Sequence, residues 1–221
     1  IKHLLKRMFH VSCFMSMRPP SFSREKMLLS RNYRLVAGMD EAGCGALAGP
    51  VVAAAVILPA TSRLGAIRDC KLLAPTVRSA LSFEIKRRAT CWAVGISSVE
   101  EINTLGVRRA SLLAMTRALQ ALSPAPEAVL SDAFCPAGIG IPCIPIVHGD
   151  RLVKSIAAAS VIAKVFRDAL METLHAELPH YNFLEHKGYG TIGHLRALKE
   201  HGPSLIHRAN YAPIKAVSQK P

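Results

Sequence analysis

The residues most able to do chemistry are acids placed where strand-like segments end. Asp40 and Glu41 close an apolar run, and two further aspartates, Asp132 and Asp150, close others. Because ligand sites of open α/β sheets lie at strand ends, we expect these acids to converge. Divalent cations such as Mg²⁺ prefer oxygen ligands, and two of them about 4 Å apart support phosphodiester cleavage. The pattern favours a metal site, although a helix cap or turn is the ordinary alternative for each aspartate alone.

A glycine loop follows the first acidic pair at once, with Gly43, Cys44 and Gly45 at its start. It differs in spacing from a dinucleotide-binding fingerprint, and Pro50 leads into a strand-like run where that motif requires a helix. A dinucleotide-dependent oxidoreductase is therefore a distant alternative. The glycines favour close approach of the backbone to a bulky ligand, with a plain tight turn as the other interpretation.

Hydrophobic periodicity predicts the elements that must position these residues. Strands are predicted over residues 35–40, 50–58, 91–96, 127–132 and 143–150. Helices are predicted from Pro75 onward and over residues 103–122, 153–178 and 191–201. Because strands dominate early and helices cover them later, we predict an α/β fold with a mixed sheet.

Composition bounds the class of protein. The 221 residues suffice for one domain with a substantial core, and the mean hydropathy of +0.25 argues against wholesale disorder. No apolar run reaches the roughly 18–20 residues that span a bilayer, so we expect a soluble protein without a membrane partner. The net charge of +13 and pI of about 9.9 point to a polyanionic partner.

The start of the chain is unusually basic. Residues 1–34 hold eight of the 28 lysines and arginines but one of the 15 acids. We predict a poorly ordered basic extension over residues 1–33 and a catalytic domain over residues 34–216. A targeting presequence, an overlong translated start and a tail that anchors nucleic acid all remain open for the extension.

The six cysteines contain no Cys-x-x-Cys pair. This favours free thiols in a reducing cytosol, and so a cytoplasmic protein, over disulfides or a zinc site.

Ordered sequence blocks between about residues 35 and 214 resemble ribonuclease HII, the type 2 ribonuclease H family. The resemblance is carried by the Asp40-Glu41-Ala42-Gly43-x-Gly45 segment, Asp69-Cys70-Lys71, Gly149-Asp150 with the helix after it, Arg167-Asp168, the stretch from His186 to Thr191, and His207-Arg208.

The resemblance implies a ribonuclease H-like mixed sheet flanked by helices, with a small helical C-terminal portion. It implies a monomeric endonuclease, active in DNA replication and repair, that cuts the RNA strand of RNA–DNA hybrids. It also implies nicking at ribonucleotides embedded in duplex DNA, with 5′-phosphate and 3′-hydroxyl ends. Two Mg²⁺ or Mn²⁺ ions are implied, with Asp40, Glu41, Asp132 and Asp150 as the catalytic metal ligands.

Substrate contacts are carried over in the same way. Tyr189 matches the tyrosine that stacks at the RNA–DNA junction sugar, beside the 2′-hydroxyl that distinguishes RNA from DNA. The backbone of Gly43, Cys44 and Gly45 matches the loop that grips the ribonucleotide. Lys71 and Lys187 fit phosphate contacts, which position a duplex without reading its sequence.

Three departures from the family pattern bear on binding. Cys44 stands where arginine is usual, Cys70 and Leu72 flank Lys71 where serine and lysine are usual, and Ala133-Phe134 follow Asp132 where Gly-Asn is usual. Each lost phosphate contact weakens a salt-dependent attraction, so we expect reduced substrate affinity with the chemistry intact. The alternative is a catalytically weak or inactive hybrid-binding protein of the same fold.

Other polar and aromatic residues receive structural interpretations. We expect Asp168 to form an ion pair and leave Asp69 and Asp168 out of the metal set. His186, His194, His201 and His207 are expected at the surface or facing phosphate, not at a metal. Trp92 and the methionines are expected in the core.

Overall fold

A computed structural model of the chain describes residues 19–64, 67 and 74–218. The described strands are β1 Val36–Ala42, β2 Val51–Ile57, β3 Cys91–Ser97, β4 Ala128–Asp132 and β5 Cys143–Ile146. They form one sheet in the order β3-β2-β1-β4-β5. The pairs β1–β2 and β2–β3 are antiparallel, while β1–β4 and β4–β5 are parallel, so the predicted mixed sheet is confirmed.

The helices cover both faces of this sheet and build the C-terminal portion. In chain order they are α1 Ser23–Leu29, α2 Pro75–Arg88, α3 Val99–Leu105, α4 Val107–Gln120, α5 Gly149–Leu152, α6 Lys154–Glu177, α7 Phe183–His186, α8 Ile192–His201 and α9 Ala212–Ser218, with a short 3-10 helix at Pro179–Tyr181. Among the described residues, none of these helices is long and apolar enough to cross a membrane.

The position of β2 in the sheet explains why its sequence is a continuous apolar run. All seven of its residues are buried, because helices cover the sheet on both sides. Ala53 and Ala55 belong to the core that contains Ala114 of α4, whereas Ala54 and Val56 belong to the core formed with α6. The small side chains of β2 therefore let both helices approach the sheet.

Helix α6 comes especially close to β1 at Gly38. A Cβ atom at this position would overlap the backbone of Ser155 and Ile156. Glycine is thus required for the close approach of the first turn of α6 to β1.

The predicted helix over residues 103–122 is wrong in its first part. Gly106, with φ 79°, separates α3 from α4. Helix α3 begins earlier than predicted, at a capping box in which Ser98 Oγ accepts from the Glu101 amide and the Glu101 carboxylate accepts from the Ser98 amide. Glycine ends one helix and begins the next because it adopts positive φ without strain.

The predicted strand over residues 143–150 is also too long. Strand β5 ends at Ile146, and His148 adopts a left-handed conformation with φ 57°. Asp150 therefore lies in the short helix α5 and not at a strand end. The turn at His148 redirects the chain before Asp150 is reached.

The expectation of free thiols is wrong for two cysteines. Cys135 and Cys143 form a disulfide, with their Cα atoms 6.0 Å apart. The connection between β4 and β5 contains Gly138 and Gly140, both at positive φ, and returns the chain on itself. Sequence spacing alone did not signal this approach. Among the described cysteines, Cys44 and Cys91 are free.

Two further expectations differ from the structure. Residues 23–29, which belong to the extension expected to be poorly ordered, form α1, whose Glu25 is buried and accepts a hydrogen bond from the Ser155 amide at 2.9 Å. Trp92 is 36 % exposed, and the Lys86 ammonium lies 4.4 Å from the centre of its ring. The expected core position of Trp92 is therefore wrong, whereas Met39, Met115 and Met171 are buried as predicted.

Candidate active site

The four predicted acids line one cavity of about 280 Å³. Asp40 and Asp132 reach it because β1 and β4 are parallel neighbours whose register pairs Met39 with Ser131, the residues just before the two acids. Glu41 follows Asp40, and α5 brings Asp150 to the same place. The parallel strands β1 and β4, together with the helix that follows β5, thus bring the carboxylates together at one end of the inner strands of the sheet.

Hydrogen bonds orient two of these carboxylates. Asp40 Oδ1 accepts from the Glu41 amide at 2.7 Å, and the Ser160 hydroxyl also bonds to this carboxylate. Asp132 Oδ1 accepts from the Gly149 amide at 2.8 Å. Backbone amides of Glu41 and Gly149 therefore hold Asp40 and Asp132, respectively, in place.

The cavity concentrates negative charge. Burial raises the pKa of Asp40 well above its usual value, and the neighbouring charges of Glu41 and Asp132 raise it further. Within residues 19–64, 67 and 74–218, no three Asp, Glu, His or Cys side chains are grouped closely enough to enclose an ion as they stand. The carboxylates converge on a shared space without closing around its centre.

The glycine loop forms another wall of this cavity through Gly43, Cys44 and Gly45. Two fully buried arginines, Arg167 and Arg208, donate to the carbonyl groups of this segment. Arg167 donates to Ala48 and Pro50, both at 3.0 Å, and Arg208 donates to Cys44 at 3.0 Å and to Gly49 at 2.9 and 3.1 Å. The two arginines therefore hold the loop in place through hydrogen bonds to its backbone carbonyl groups.

Neither arginine was assigned this role from the sequence. Arginine is rarely fully buried, and both residues are distant in sequence from the loop that they hold. Arg167 also occupies the space beside Gly43, where φ is +98° and a Cβ atom would overlap the guanidinium group. The first glycine of the loop is therefore required by a buried side chain as well as by its conformation.

Cys44 lines both the cavity of the four acids and a second, neighbouring cavity. Its thiol donates to Glu41 Oε1 at 3.6 Å. Burial, followed by the negative charge of Glu41, raises the pKa of Cys44 to about 12. The side chain is therefore a neutral thiol at physiological pH.

Tyr189 lines the same cavity as the four acids. Its ring lies near two cations, 5.5 Å from Lys164 Nζ and 5.3 Å from the Arg167 guanidinium carbon. The preceding residue, Gly188, accepts a hydrogen bond from the Leu47 amide at 2.8 Å. This contact joins the Tyr189 segment to the glycine loop.

Lys187, another predicted contact, is not among the residues that line this cavity. Lys187 lines an adjoining cavity of about 360 Å³, and its ammonium donates to Glu172 Oε1 at 2.8 Å and to the Leu184 carbonyl at 2.9 Å. Asp168 pairs with Lys164 at 2.6 Å and Arg78 at 3.0 Å, which confirms its predicted ion pair. Asp69, Cys70, Lys71 and Leu72 lie outside the described residues.

Three of the histidines expected at the surface are buried. His186, His194 and His207 are 7 %, 0 % and 3 % exposed, whereas His201 is exposed as predicted. The buried rings contact one another and the ring of Phe183. The prediction is wrong for these three because the aromatic C-terminal core covers them.

A hydrogen-bond chain runs through two of these histidines to the backbone of Tyr189. His207 Nδ1 accepts from the Ser204 amide at 3.0 Å, so its Nε2–H donates to His194 Nε2 at 3.1 Å. His194 Nδ1–H in turn donates to the Tyr189 carbonyl at 3.0 Å. This arrangement requires both rings to be neutral, and burial lowers the pKa of each to about 4.

Folding stability is expected to fall as the pH drops from about 6.5 towards 4. The folded-state pKa values of His194 and His207 lie below the ordinary 6.5, so the unfolded chain takes up protons first. Their contribution is complete above about pH 6.5 and is lost as the pH falls through the folded-state values. A shift of this size in one group corresponds to roughly 3 kcal/mol. Urea unfolding across this pH range measures the effect.

Two variants separate this contribution from the general effect of acid. His194→Asn should show a shallower pH dependence, while His201→Asn, at an exposed site, should keep the wild-type slope. An unchanged slope in His194→Asn would contradict the assignment.

Comparison with known proteins supports one family. A sequence model described as Ribonuclease HII matches residues 37–213. A curated Ribonuclease HII from Pelotomaculum thermopropionicum is 47 % identical over 193 residues, covering 86 % of this chain and 73 % of that protein. One from Nitrosospira multiformis is 46 % identical over 188 residues, covering 85 % of this chain and 94 % of that protein.

Solved structures agree on the fold. The Archaeoglobus fulgidus ribonuclease HII, solved as a complex with PCNA, superposes with a TM-score of 0.69 at 24 % identity, covering 84 % of this chain and 98 % of that chain. Bst-RNase HIII in complex with Mn²⁺ gives a TM-score of 0.65 at 22 % identity, covering 83 % and 69 %. The predicted ribonuclease H-like fold is confirmed.

Proposed function

The chain belongs to the ribonuclease HII family, an endoribonuclease family, and from this premise we propose a metal-dependent cleavage of RNA joined or paired to DNA. The proposed enzyme hydrolyses the RNA strand of RNA–DNA hybrids and nicks at ribonucleotides embedded in duplex DNA. One observation carries the proposal: four carboxylates, the glycine loop and Tyr189 line the same cavity.

The donor set fits divalent cations. Asp40, Glu41, Asp132 and Asp150 offer only carboxylate oxygens, the ligands that Mg²⁺ and Mn²⁺ favour. Burial of Asp40, followed by the negative charges of Glu41 and Asp132, raises the pKa of Asp40, and a nearby cation would oppose this rise. We therefore propose these four residues as the ligands of two Mg²⁺ or Mn²⁺ ions, in keeping with the Mn²⁺ complex of Bst-RNase HIII. When bound, the ions would supply an activated water and stabilise the leaving oxygen.

The chain's own groups would orient the acids and the substrate. The Gly149 amide holds Asp132, and the Glu41 amide and Ser160 hydroxyl hold Asp40, so these two carboxylates enter the reaction already positioned. In the proposal the backbone of Gly43, Cys44 and Gly45 grips the ribonucleotide.

The two lysines are the remaining proposed contacts. Lys71 and Lys187 would bind phosphates that flank the reacting nucleotide. The Lys187 ammonium donates to Glu172 and to the Leu184 carbonyl, which leaves its third N–H for a phosphate. We also keep the prediction of a monomeric, cytoplasmic enzyme.

A cleavage assay tests the proposal directly. Purified protein with Mg²⁺ or Mn²⁺ is incubated with an end-labelled RNA–DNA hybrid, with duplex RNA and duplex DNA of the same sequence as controls. We expect cleavage of the hybrid alone, leaving 5′-phosphate and 3′-hydroxyl ends. Tight hybrid binding without cleavage would favour the alternative of an inactive binding protein.

Replacing Tyr189 with alanine is expected to lower cleavage at a single embedded ribonucleotide by roughly 10- to 100-fold. Loss of one stacking contact to a nucleic-acid ring system removes about 1–3 kcal/mol. Tyr189→Phe keeps the ring and should retain most of the activity. Single-turnover kinetics of the two variants give the comparison, and equal losses in both would show that the hydroxyl matters rather than stacking.

A further inference from the structure

A second cavity of about 230 Å³ adjoins the catalytic one. The two cavities share Glu41 and Cys44 as lining residues, so they adjoin on this side of the glycine loop. The other lining residues of the second cavity are Val107, Arg108, Ser111, Leu112 and Phe134. Arg108 is therefore the cation that lines this flank, whereas the loop residue there, Cys44, carries no positive charge.

The position of Arg108 is not explained by helix stability. It is the second residue of α4, whose first turn contains no acidic residue. A cation near a helix N-terminus opposes the helix dipole and costs stability. Arg108 is exposed, and within the described residues it takes part in none of the ion pairs.

Phe134 holds the guanidinium group in place. The Arg108 guanidinium carbon lies 4.4 Å from the centre of the Phe134 ring, which is a cation–π contact. An arginine that stacks on an aromatic ring keeps its N–H groups available at its edge. With Arg108 over the Phe134 ring, the site offers hydrogen-bond donors and positive charge at this position.

We infer that Arg108, supported by Phe134, binds a backbone phosphate of the nucleic acid whose reacting nucleotide lies in the catalytic cavity. Phosphate suits the planar fork of guanidinium N–H donors, which can bind two of its oxygens. Arg108 thereby supplies on this flank the positive charge that the glycine loop lacks at Cys44. The inference rests on the proposed function, since it concerns the substrate of that same site.

Equilibrium binding to an uncleaved hybrid tests the inference. In an Asp132→Asn background and without added divalent cation, so that the hybrid stays uncleaved, Arg108→Gln should weaken hybrid binding by about tenfold or more. The slope of log affinity against log salt should fall by about one, as expected for one lost phosphate contact. Arg108→Lys should keep that slope with a smaller loss of affinity.

Arg109→Gln is the matched control, because Arg109 is the next residue of α4, is exposed and lines neither cavity. It should leave the salt slope close to the parent value. Equal effects of the Arg108→Gln and Arg109→Gln changes would overturn the inference while leaving the proposed function intact. A parent protein that fails to bind hybrid would overturn both.

A second measurement locates the contact. Cys44→Arg places a cation on the same flank and should tighten hybrid binding. If Arg108 binds a phosphate beside residue 44, the Arg108→Gln change should cost less affinity in the Cys44→Arg protein than in the parent. An identical cost in both backgrounds would overturn the placement of the phosphate beside Cys44.

Discussion

Replacing Asp132 with asparagine is expected to lower the rate of hybrid cleavage by about 10³-fold or more. The reason is that this acid is a proposed metal ligand, and a bound ion supplies several kcal/mol of transition-state stabilisation. The substitution removes the negative charge of the side chain but keeps its size and shape. The amide oxygen can still accept the hydrogen bond that Asp132 Oδ1 takes from the Gly149 amide.

The fold of the Asp132→Asn protein should therefore be unharmed. Its melting temperature should equal or exceed that of the wild type, because Asp132 is one of the negative charges that disfavour ionised Asp40. Glu127→Gln is a matched control, since Glu127 directly precedes β4 while Asp132 ends it. Near-normal cleavage by Asp132→Asn would remove Asp132 from the proposed metal site.

Replacing Arg208 with lysine is expected to damage both stability and catalysis. Arg208 is fully buried and donates to the carbonyls of Cys44 and Gly49 and to the Tyr211 hydroxyl. A lysine ammonium cannot reproduce this fork of donors, so buried carbonyls lose partners. We expect the free energy of unfolding to fall by roughly 3 kcal/mol, since leaving a buried polar group unpaired costs about 1–3 kcal/mol. Urea unfolding provides the measurement.

The catalytic effect follows from the position of the loop. Arg208 fixes the glycine loop, so its loss should raise KM for hybrid more than it lowers kcat, under conditions where the variant is folded. Arg196→Lys, at an exposed position on α8, should change neither stability nor KM. A destabilised Arg208→Lys protein with unchanged KM would limit Arg208 to a structural role.

Much of the fold could be predicted because local sequence patterns indicate individual strands and helices. The apolar run of β2 reflects burial on both faces, and Pro75 begins α2 as expected. Asp132 ends β4 as expected, but Asp40 and Glu41 lie inside β1, which continues to Ala42, so the predicted strand end at Asp40 is wrong. Asp40 and Asp132 still lie together because each directly follows the last residue of the parallel pairing, Met39 or Ser131. The convergence of both with Glu41 and Asp150 was expected, although Asp150 arrives from a helix.

What could not be predicted depends on partners distant in the chain. Arg167, Arg208, His194 and His207 are buried because carbonyls or neighbouring rings satisfy them, and no local pattern reveals such partners. The Cys135–Cys143 disulfide likewise depends on how the loop after β4 returns. Polar residues were therefore the main source of error, whereas apolar periodicity was reliable.

The most direct test of the central claim uses a DNA duplex that contains one ribonucleotide. The claim is that one cavity joins the acids that catalyse cleavage to the loop and tyrosine that select a ribonucleotide. With Mg²⁺ or Mn²⁺, the protein should nick this duplex at the ribonucleotide alone, leaving 5′-phosphate and 3′-hydroxyl ends. The same duplex with deoxyribonucleotide at that position should stay intact. Binding without a nick, or equal cutting of both duplexes, would contradict the claim.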